Sequence, residues 1–174
     1  GATAVQLITE IAKEVSHLTV FQRTANYCAP LRNGPIDDET QARIKATYDE
    51  IFAQCNSTHS GFLHDADPRF ALEVSDEERE AFYEQRYGEP GFGIWMGNFR
   101  DIFVDQGAND TISEFVRKKI RQRVKNQEVA EKLIPRNHGF GTRRVPLETG
   151  YYEVYNQDNV VLVDIKDTPI DKIT

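Results

Sequence analysis

Three arginines and a turn of small residues are the groups in this sequence best suited to hold a phosphorylated ligand. The chain opens Gly1-Ala2-Thr3-Ala4-Val5-Gln6, which reads as a phosphate loop running straight into a helix. In a G-x-G-x-x-G/A loop the middle glycine lets the backbone approach a pyrophosphate. The third position needs a small residue for helix–strand packing. Gly1 and Ala4 fit those two positions. The free N–H groups and the dipole of the following helix favour an anion there. Ala2, Thr3 and Gln6 belong to the same turn and are candidate cofactor contacts with it.

About 20 positions beyond such a loop, NAD-binding sheets carry an acidic residue that accepts hydrogen bonds from ribose hydroxyls. The corresponding strand end here is Phe21-Gln22-Arg23-Thr24, with no acid. An arginine there suits a 2′-phosphate, because its rigid fork donates two hydrogen bonds to an oxyanion. Thr24 adds a hydroxyl. The third cluster is Gly141-Thr142-Arg143-Arg144. Adjacent arginines after a glycine are ordinarily solvent-exposed; an anionic cofactor passing close to a reactive centre gives two neighbouring cations a task.

The remaining reactive residue types read as structural. His17, His59, His64 and His138 form no ligand-spaced cluster, so no metal site is expected. Cys28 and Cys55 lack metal-ligand spacing and read as free thiols in a reducing cytoplasm. Trp95, Phe92 and Phe99 read as core. Arg117-Lys118-Lys119 with Arg121 and Arg123 reads as a solvated helix face.

The elements that must position these groups follow from periodicity. Val5, Ile8, Ile11, Ala12 and Val15 share one face of a helix over 4–15. Leu18-Thr19-Val20-Phe21 reads as a buried strand. Ile44, Tyr48, Ile51, Phe52 and Cys55 predict one helix over 38–55. Ser75-Asp76-Glu77-Glu78 and Thr111-Ile112-Ser113-Glu114 each read as a capping box opening a helix, and Ile134-Pro135 closes the helical run. The stretch 87–97 reads as an irregular turn. Asn159-Val160-Val161-Leu162-Val163-Asp164 has the pattern of a parallel strand buried on both faces. The fold class expected is α/β: a partial Rossmann-type, doubly wound sheet over 1–36 and 136–174, with an α-helical insertion over 37–135.

Composition excludes some partners. The chain of 174 residues carries a formal net charge of -7, which argues against a broad nucleic-acid face. No apolar run approaches the roughly 20 residues that cross a bilayer, so no membrane partner is expected. A phosphate loop normally follows a buried strand, and none precedes Gly1. There is no initiator Met, and Ile170-Asp171-Lys172-Ile173-Thr174 stops without a closing element. The expectation is an excerpt of a longer chain.

Phe21-Gln22-Arg23-Thr24-Ala25-Asn26-Tyr27, with Pro30, Arg32 and Asn33 beyond, resembles the F-Q-R-[ST]-x-N-[YW] stretch of Baeyer–Villiger monooxygenases. Gly141-Thr142-Arg143-Arg144, Gly150-Tyr151-Tyr152-Glu153 and Asn156-Gln157-Asp158-Asn159-Val160 resemble that family's later block. The resemblance covers essentially the whole chain. It implies an enzyme that uses FAD, NADPH and dioxygen to insert one oxygen atom into a ketone, giving an ester or lactone. It implies that Gly1 and Ala4 cradle the NADPH pyrophosphate, and that Arg23, Thr24 and Arg143 hold the 2′-phosphate. Arg144 matches the family's active-site arginine, which stabilises negative charge at the reacting centre. FAD is expected mainly on regions outside this chain, the partner is the FAD domain of the same polypeptide, and the location is cytoplasmic. The excerpt alone is expected to be inactive. Two other readings are an N- or S-oxygenating flavin monooxygenase and a non-catalytic helical interaction module. The family often carries lysine where Arg143 stands.

Overall fold

The computed structural model describes residues 1–167 and 169–172. The expectation about the C-terminal end rests in part on Ile173 and Thr174, which lie outside the described residues. The described chain is α/β, with small parallel sheets among helices.

Helix α1 (Ala2–Ile11) starts two residues earlier and ends four residues sooner than its apolar face suggested. Val5 and Ala12 are buried, and Val15 stays exposed. The side-chain amide of Asn159 terminates the helix. It donates to the carbonyls of Ala12 (3.0 Å) and Val15 (2.9 Å), groups that helix ends leave without partners. Asn159 directly precedes β4 (Val160–Asp164), which pairs in parallel with β1 (Leu18–Gln22), Leu18 opposite Val160 and Gln22 opposite Asp164. One amide thus ties the end of α1 to the start of the neighbouring strand.

The expectation that β4 is buried on both faces is corrected. Val161 is 43% exposed, and Phe21 on β1 is 60% exposed. A valine run marks a strand with something on each side, but within the described residues this sheet has two strands and buries mainly Val160.

A second parallel pair, β2 (Ala29–Pro30) with β3 (Leu147–Glu148), joins the segment after β1 to the segment before β4. Helix α8 (Tyr151–Val154) follows β3 and packs on α1. Gly150 enters it at φ 79°, a left-handed conformation that costs glycine little.

Between these pieces lie α2 (Asp38–Ala46), α3 (Tyr48–Ser57), α4 (Asp76–Gly88), α5 (Gly93–Met96), α6 (Gln106–Arg123) and α7 (Gln127–Leu133). The single helix expected over 38–55 is two. Thr47 breaks it at φ -110°, and its hydroxyl bonds to the carbonyls of Arg43 and Ile44, competing with the helical ladder. Neither helix buries a residue. The capping box at Ser75 is half realised: Ser75 accepts the Glu78 N–H, while the Glu78 carboxylate turns to Arg69. The box at Thr111–Glu114 is corrected. It lies inside α6, whose cap is Asp105, accepting from the Ala108 N–H at 2.8 Å. Thr111 spends its hydroxyl on the Ala108 carbonyl and Tyr83. The turn expected over 87–97 is also partly helical, because α4 runs to Gly88 and α5 occupies four of its residues.

The core of this helical part is aromatic. Phe82 and Tyr83 of α4 meet Phe99, and Tyr83 and Tyr87 meet Phe115 of α6, at centroid separations of 4.4 to 5.8 Å. Ile112, Val116 and Ile120 are fully buried beside them, each contributing roughly 1.5–3 kcal/mol.

The basic run on α6 is not simply solvated. Lys118 and Lys119 pair with Glu80 and Glu84 of α4, and Arg121 with Glu114 and Glu131. Arg123 turns inward to Glu148 and Glu153. Among the described residues no helix is long and apolar enough to cross a membrane.

Candidate functional site: a cation-lined cleft at the strand ends

A cleft of about 360 Å³ opens where α1 begins and β1 ends. Gly1 and Ala4 line it from the helix, Gln22, Arg23 and Thr24 from the strand, and Arg143 from the loop before β3. Five of the residues expected to hold a cofactor therefore share one cavity although the chain separates them by up to 142 positions. Gly1 caps α1 without a side-chain hydrogen bond. Among the described residues, the first N–H groups of the helix have no capping side chain to bond, so they are available to an anion.

Charge supports the same use. Arg23 and Arg143 are exposed, and neither makes a salt bridge among the described residues, nor does Arg144. Most other arginines here have a carboxylate partner. Two unneutralised guanidinium groups around one cavity repel each other and attract a polyanion.

Not every expected residue faces this cavity. Ala2 and Thr3 lie in the first turn of α1 outside its lining. Gln6 lines a neighbouring cleft of about 290 Å³ with Thr9, Glu10 and Asn33. Arg144 follows Arg143 but is not part of the lining; its backbone carbonyl accepts from Asn26 Nδ2 at 3.0 Å.

The back of the cleft is apolar and aromatic, and sequence reasoning gave these residues no place in it. Cys28 and Tyr151 line it beside Val5, Ile8 and Pro146. Burial, with a contribution from Glu148, pushes the Cys28 thiol up to about 12, so it is an inert neutral group at physiological pH. Burial also raises the Tyr151 phenol, aided by Tyr155, whose hydroxyl donates to it at 3.0 Å. His138 sits nearby, with its imidazole held below the usual range by burial and then by the charges of Arg143 and Arg117.

The loop that carries the arginines is anchored from α6. Phe140 is fully buried. Its N–H donates to Ser113 Oγ (2.9 Å), and its carbonyl accepts from Asn109 Nδ2 (2.9 Å). Gly141 follows at φ 75°, where a Cβ would sit 2.6 Å from Phe103 and 2.9 Å from Trp95. This role for α6 had no sequence signal, because Asn109 and Ser113 are ordinary polar residues on an amphipathic helix.

A wider cleft of about 730 Å³ lies between α4, α6 and β3. Its Lys119 and Arg123 are already paired with Glu84, Glu148 and Glu153, so it offers little net attraction to an anion. No group of three or more His, Cys, Asp or Glu among the described residues is placed to hold a metal ion.

No family model matches the chain. Individual proteins do. The chain is 49% identical over all 174 residues to a 2-oxo-Δ3-4,5,5-trimethylcyclopentenylacetyl-CoA monooxygenase of Pseudomonas putida, of which it covers 32%. It is 45% identical, over its full length and 32% of the relative, to a Baeyer–Villiger monooxygenase of Pseudooceanicola batsensis. The backbone superimposes on OTEMO in complex with FAD and NADP with a TM-score of 0.98 and 49% identity, covering 100% of this chain and 32% of that one. The chain thus spans about a third of the length of the relatives it matches. In sequence and in backbone, these 174 residues are similar over their whole length to a segment of Baeyer–Villiger monooxygenases.

Proposed function

We propose that the cleft binds NADPH and that the polypeptide carrying this segment is an FAD-dependent Baeyer–Villiger monooxygenase, converting a ketone and dioxygen to an ester or lactone and water. The observation that carries this is the convergence of Arg23, Thr24 and Arg143 with the uncapped start of α1 on one cavity. That donor set fits the nucleotide. Two guanidinium groups and a hydroxyl suit a 2′-phosphate, and a helix N-terminus suits the pyrophosphate. The segments 1–36 and 136–174 form part of a Rossmann-type nucleotide domain around a helical insertion, 37–135. FAD is held mainly by the FAD domain of the same cytoplasmic polypeptide, so the segment alone has no ketone-oxidising activity.

When bound, NADPH supplies a hydride and FAD the means to activate dioxygen. This chain contributes position and charge. Arg23 and Arg143 clamp the phosphorylated end of the nucleotide. Cys28 and Tyr151, both neutral, wall the cleft without titrating. Arg144, beside Arg143 on the anchored loop, offers a cation toward the reacting centre, where a preorganised donor stabilises developing negative charge.

Two measurements test this on the full polypeptide. Arg23→Ala removes a charge-assisted pair to the 2′-phosphate, and should raise KM for NADPH roughly 10- to 100-fold while leaving KM for NADH unchanged. An equal rise for both nucleotides would place the 2′-phosphate elsewhere. Arg144→Ala should lower kcat for lactone formation from a cyclic ketone about 100-fold at saturating NADPH, the loss expected for one preorganised donor. Unaltered lactone yield in that variant would remove Arg144 from the chemistry. Thioether oxidation assayed beside ketone oxidation separates the S-oxygenating alternative.

A further inference from the structure

The side chain of Asn26 bridges two parts of the cleft that the chain keeps far apart. Asn26 lies two residues beyond Thr24, on the segment leaving β1. Its Nδ2 donates to the Arg144 carbonyl at 3.0 Å, and its Oδ1 lies 3.0 Å from His138 Nε2. These contacts orient the amide. A carbonyl only accepts, so Nδ2 must face Arg144 and Oδ1 must face the imidazole. In that contact His138 Nε2 is the donor, while its Nδ1 lies 2.8 Å from Asn137 Oδ1. Burial first, and then the neighbouring Arg143 and Arg117, hold its imidazole below the usual range. Its ring is held edge-on to Tyr27 at 5.4 Å, and Tyr27 is itself buried, its hydroxyl donating to the Pro135 carbonyl.

The arginine loop needs such a tie. Phe140 fixes its start and buried Val145 its end. Between them Thr142 folds back on the Gly139 carbonyl. Among the described residues, the Asn26 amide is the only side chain bonded to the backbone of 143–144. Arg23 and Arg143 can grip one phosphate only if the strand end and the loop hold their separation. Thermal drift of the loop would cost the nucleotide its second guanidinium without disturbing the first.

We propose that Asn26, oriented by His138, is a positioning residue that sets the spacing between Arg23 and the Arg143–Arg144 pair and thereby the selectivity for a 2′-phosphorylated dinucleotide. This rests on the reading of the cleft as the NADPH site. Asn26 itself lines the cleft, and its effect on selectivity runs through the Arg144 backbone. Asparagine suits the position because one short side chain must donate on one side and accept on the other. Aspartate cannot donate to a carbonyl, and alanine does neither.

The test compares nucleotide selectivity and melting temperature in the full polypeptide. Asn26→Ala and Asn26→Asp should each lower the ratio of kcat/KM for NADPH over NADH about tenfold, through KM for NADPH, the loss of roughly one hydrogen bond's worth of placement. KM for NADH should hold. His138→Gln, whose amide can donate in place of the imidazole N–H, should retain the ratio better than His138→Phe. A fall in melting temperature in Asn26→Ala with the ratio intact would reduce Asn26 to a structural role and overturn the proposal. So would equal ratios in His138→Gln and His138→Phe. Arg23→Ala distinguishes the two levels of inference. If it shifts the ratio while Asn26→Ala does not, only the positioning claim fails; if Arg23→Ala leaves the ratio alone, the cleft assignment itself fails.

Discussion

Replacing Arg123 with methionine should destabilise the polypeptide by about 3–5 kcal/mol, the cost of leaving a buried carboxylate without its counter-charge. All five guanidinium N–H groups are used. Nε and Nη2 donate to Glu153 at 2.6 and 2.7 Å, Nη1 and Nη2 to Glu148 at 2.7 and 3.1 Å, and Nη1 also to the Tyr87 hydroxyl at 3.0 Å. The Glu148 side chain is 1% exposed, whereas that of Glu153 is half exposed. The penalty therefore arises chiefly at Glu148, since the Glu153 pair is screened by water. Burial by itself would lower the Arg123 pKa, yet the bonds to Glu153 and Glu148 outweigh it and raise it. The residue joins α4, α6, β3 and α8 at one point, and Glu148 also accepts the first N–H of α8 at 2.9 Å, directly behind Tyr151 in the cleft. Urea denaturation of Arg123→Met against the unaltered protein reads the effect. Arg123→Met combined with Glu148→Leu should recover most of it, because no unpaired charge then remains. A loss below about 1 kcal/mol in the single variant would mean that Glu148 reaches water.

Gly139→Ala should cost about 3 kcal/mol, through overpacking and through buried groups left unpaired. A Cβ at Gly139 would overlap Asn109 Oδ1 and lie 2.8 Å from its Cγ. Asn109 cannot yield cheaply. It is buried, its Nδ2 donates to the carbonyls of Ile102 (2.7 Å) and Phe140 (2.9 Å), and its Oδ1 accepts from Ser113 (3.0 Å). Moving it releases Phe140, the residue from which the arginine loop departs. The melting temperature should fall by roughly 6–12 °C for a unit of this size. Activity should fall with it, as the loop loses its anchor. A melting temperature within about 2 °C of the parent would show that the Asn109 cluster repacks at little cost.

These two positions mark where sequence reading runs out. Arg123 stands at the end of a basic run, and nothing in Arg117-Lys118-Lys119-x-Arg121-x-Arg123 separates the cation that pairs with buried Glu148 from the others. Its partners lie 25 and 30 residues away, beyond the reach of any helical spacing rule. Gly139 likewise looks like a flexible joint, while in the structure it is a point of close approach between a loop and a helix. The misplaced capping box at Thr111 has a similar cause. A local S/T-x-x-E pattern occurs inside helices as well as at their starts, and the Asp105 cap decided which it was. The break at Thr47 shows the reverse case, where a hydroxyl overrides an apolar period that continues through it.

What the amino-acid order determined by itself was local: the helix at the N-terminus, the strand ending in Gln22, the valine-rich strand at 160–164, and the chemical types of Gly1, Ala4, Arg23, Thr24 and Arg143. Those follow from short-range periodicity and from the donors each side chain carries. Tertiary structure decided which groups meet. It brought Arg143 to the end of β1 across some 120 residues of intervening chain, walled the cleft with Cys28 and Tyr151, and set Asn26 between strand and loop. The physical reason is range. A hydrogen-bonding or charged side chain acts over a few ångströms, and contacts between distant segments, such as β1 on β4 and Phe140 on α6, fix which of them come that close.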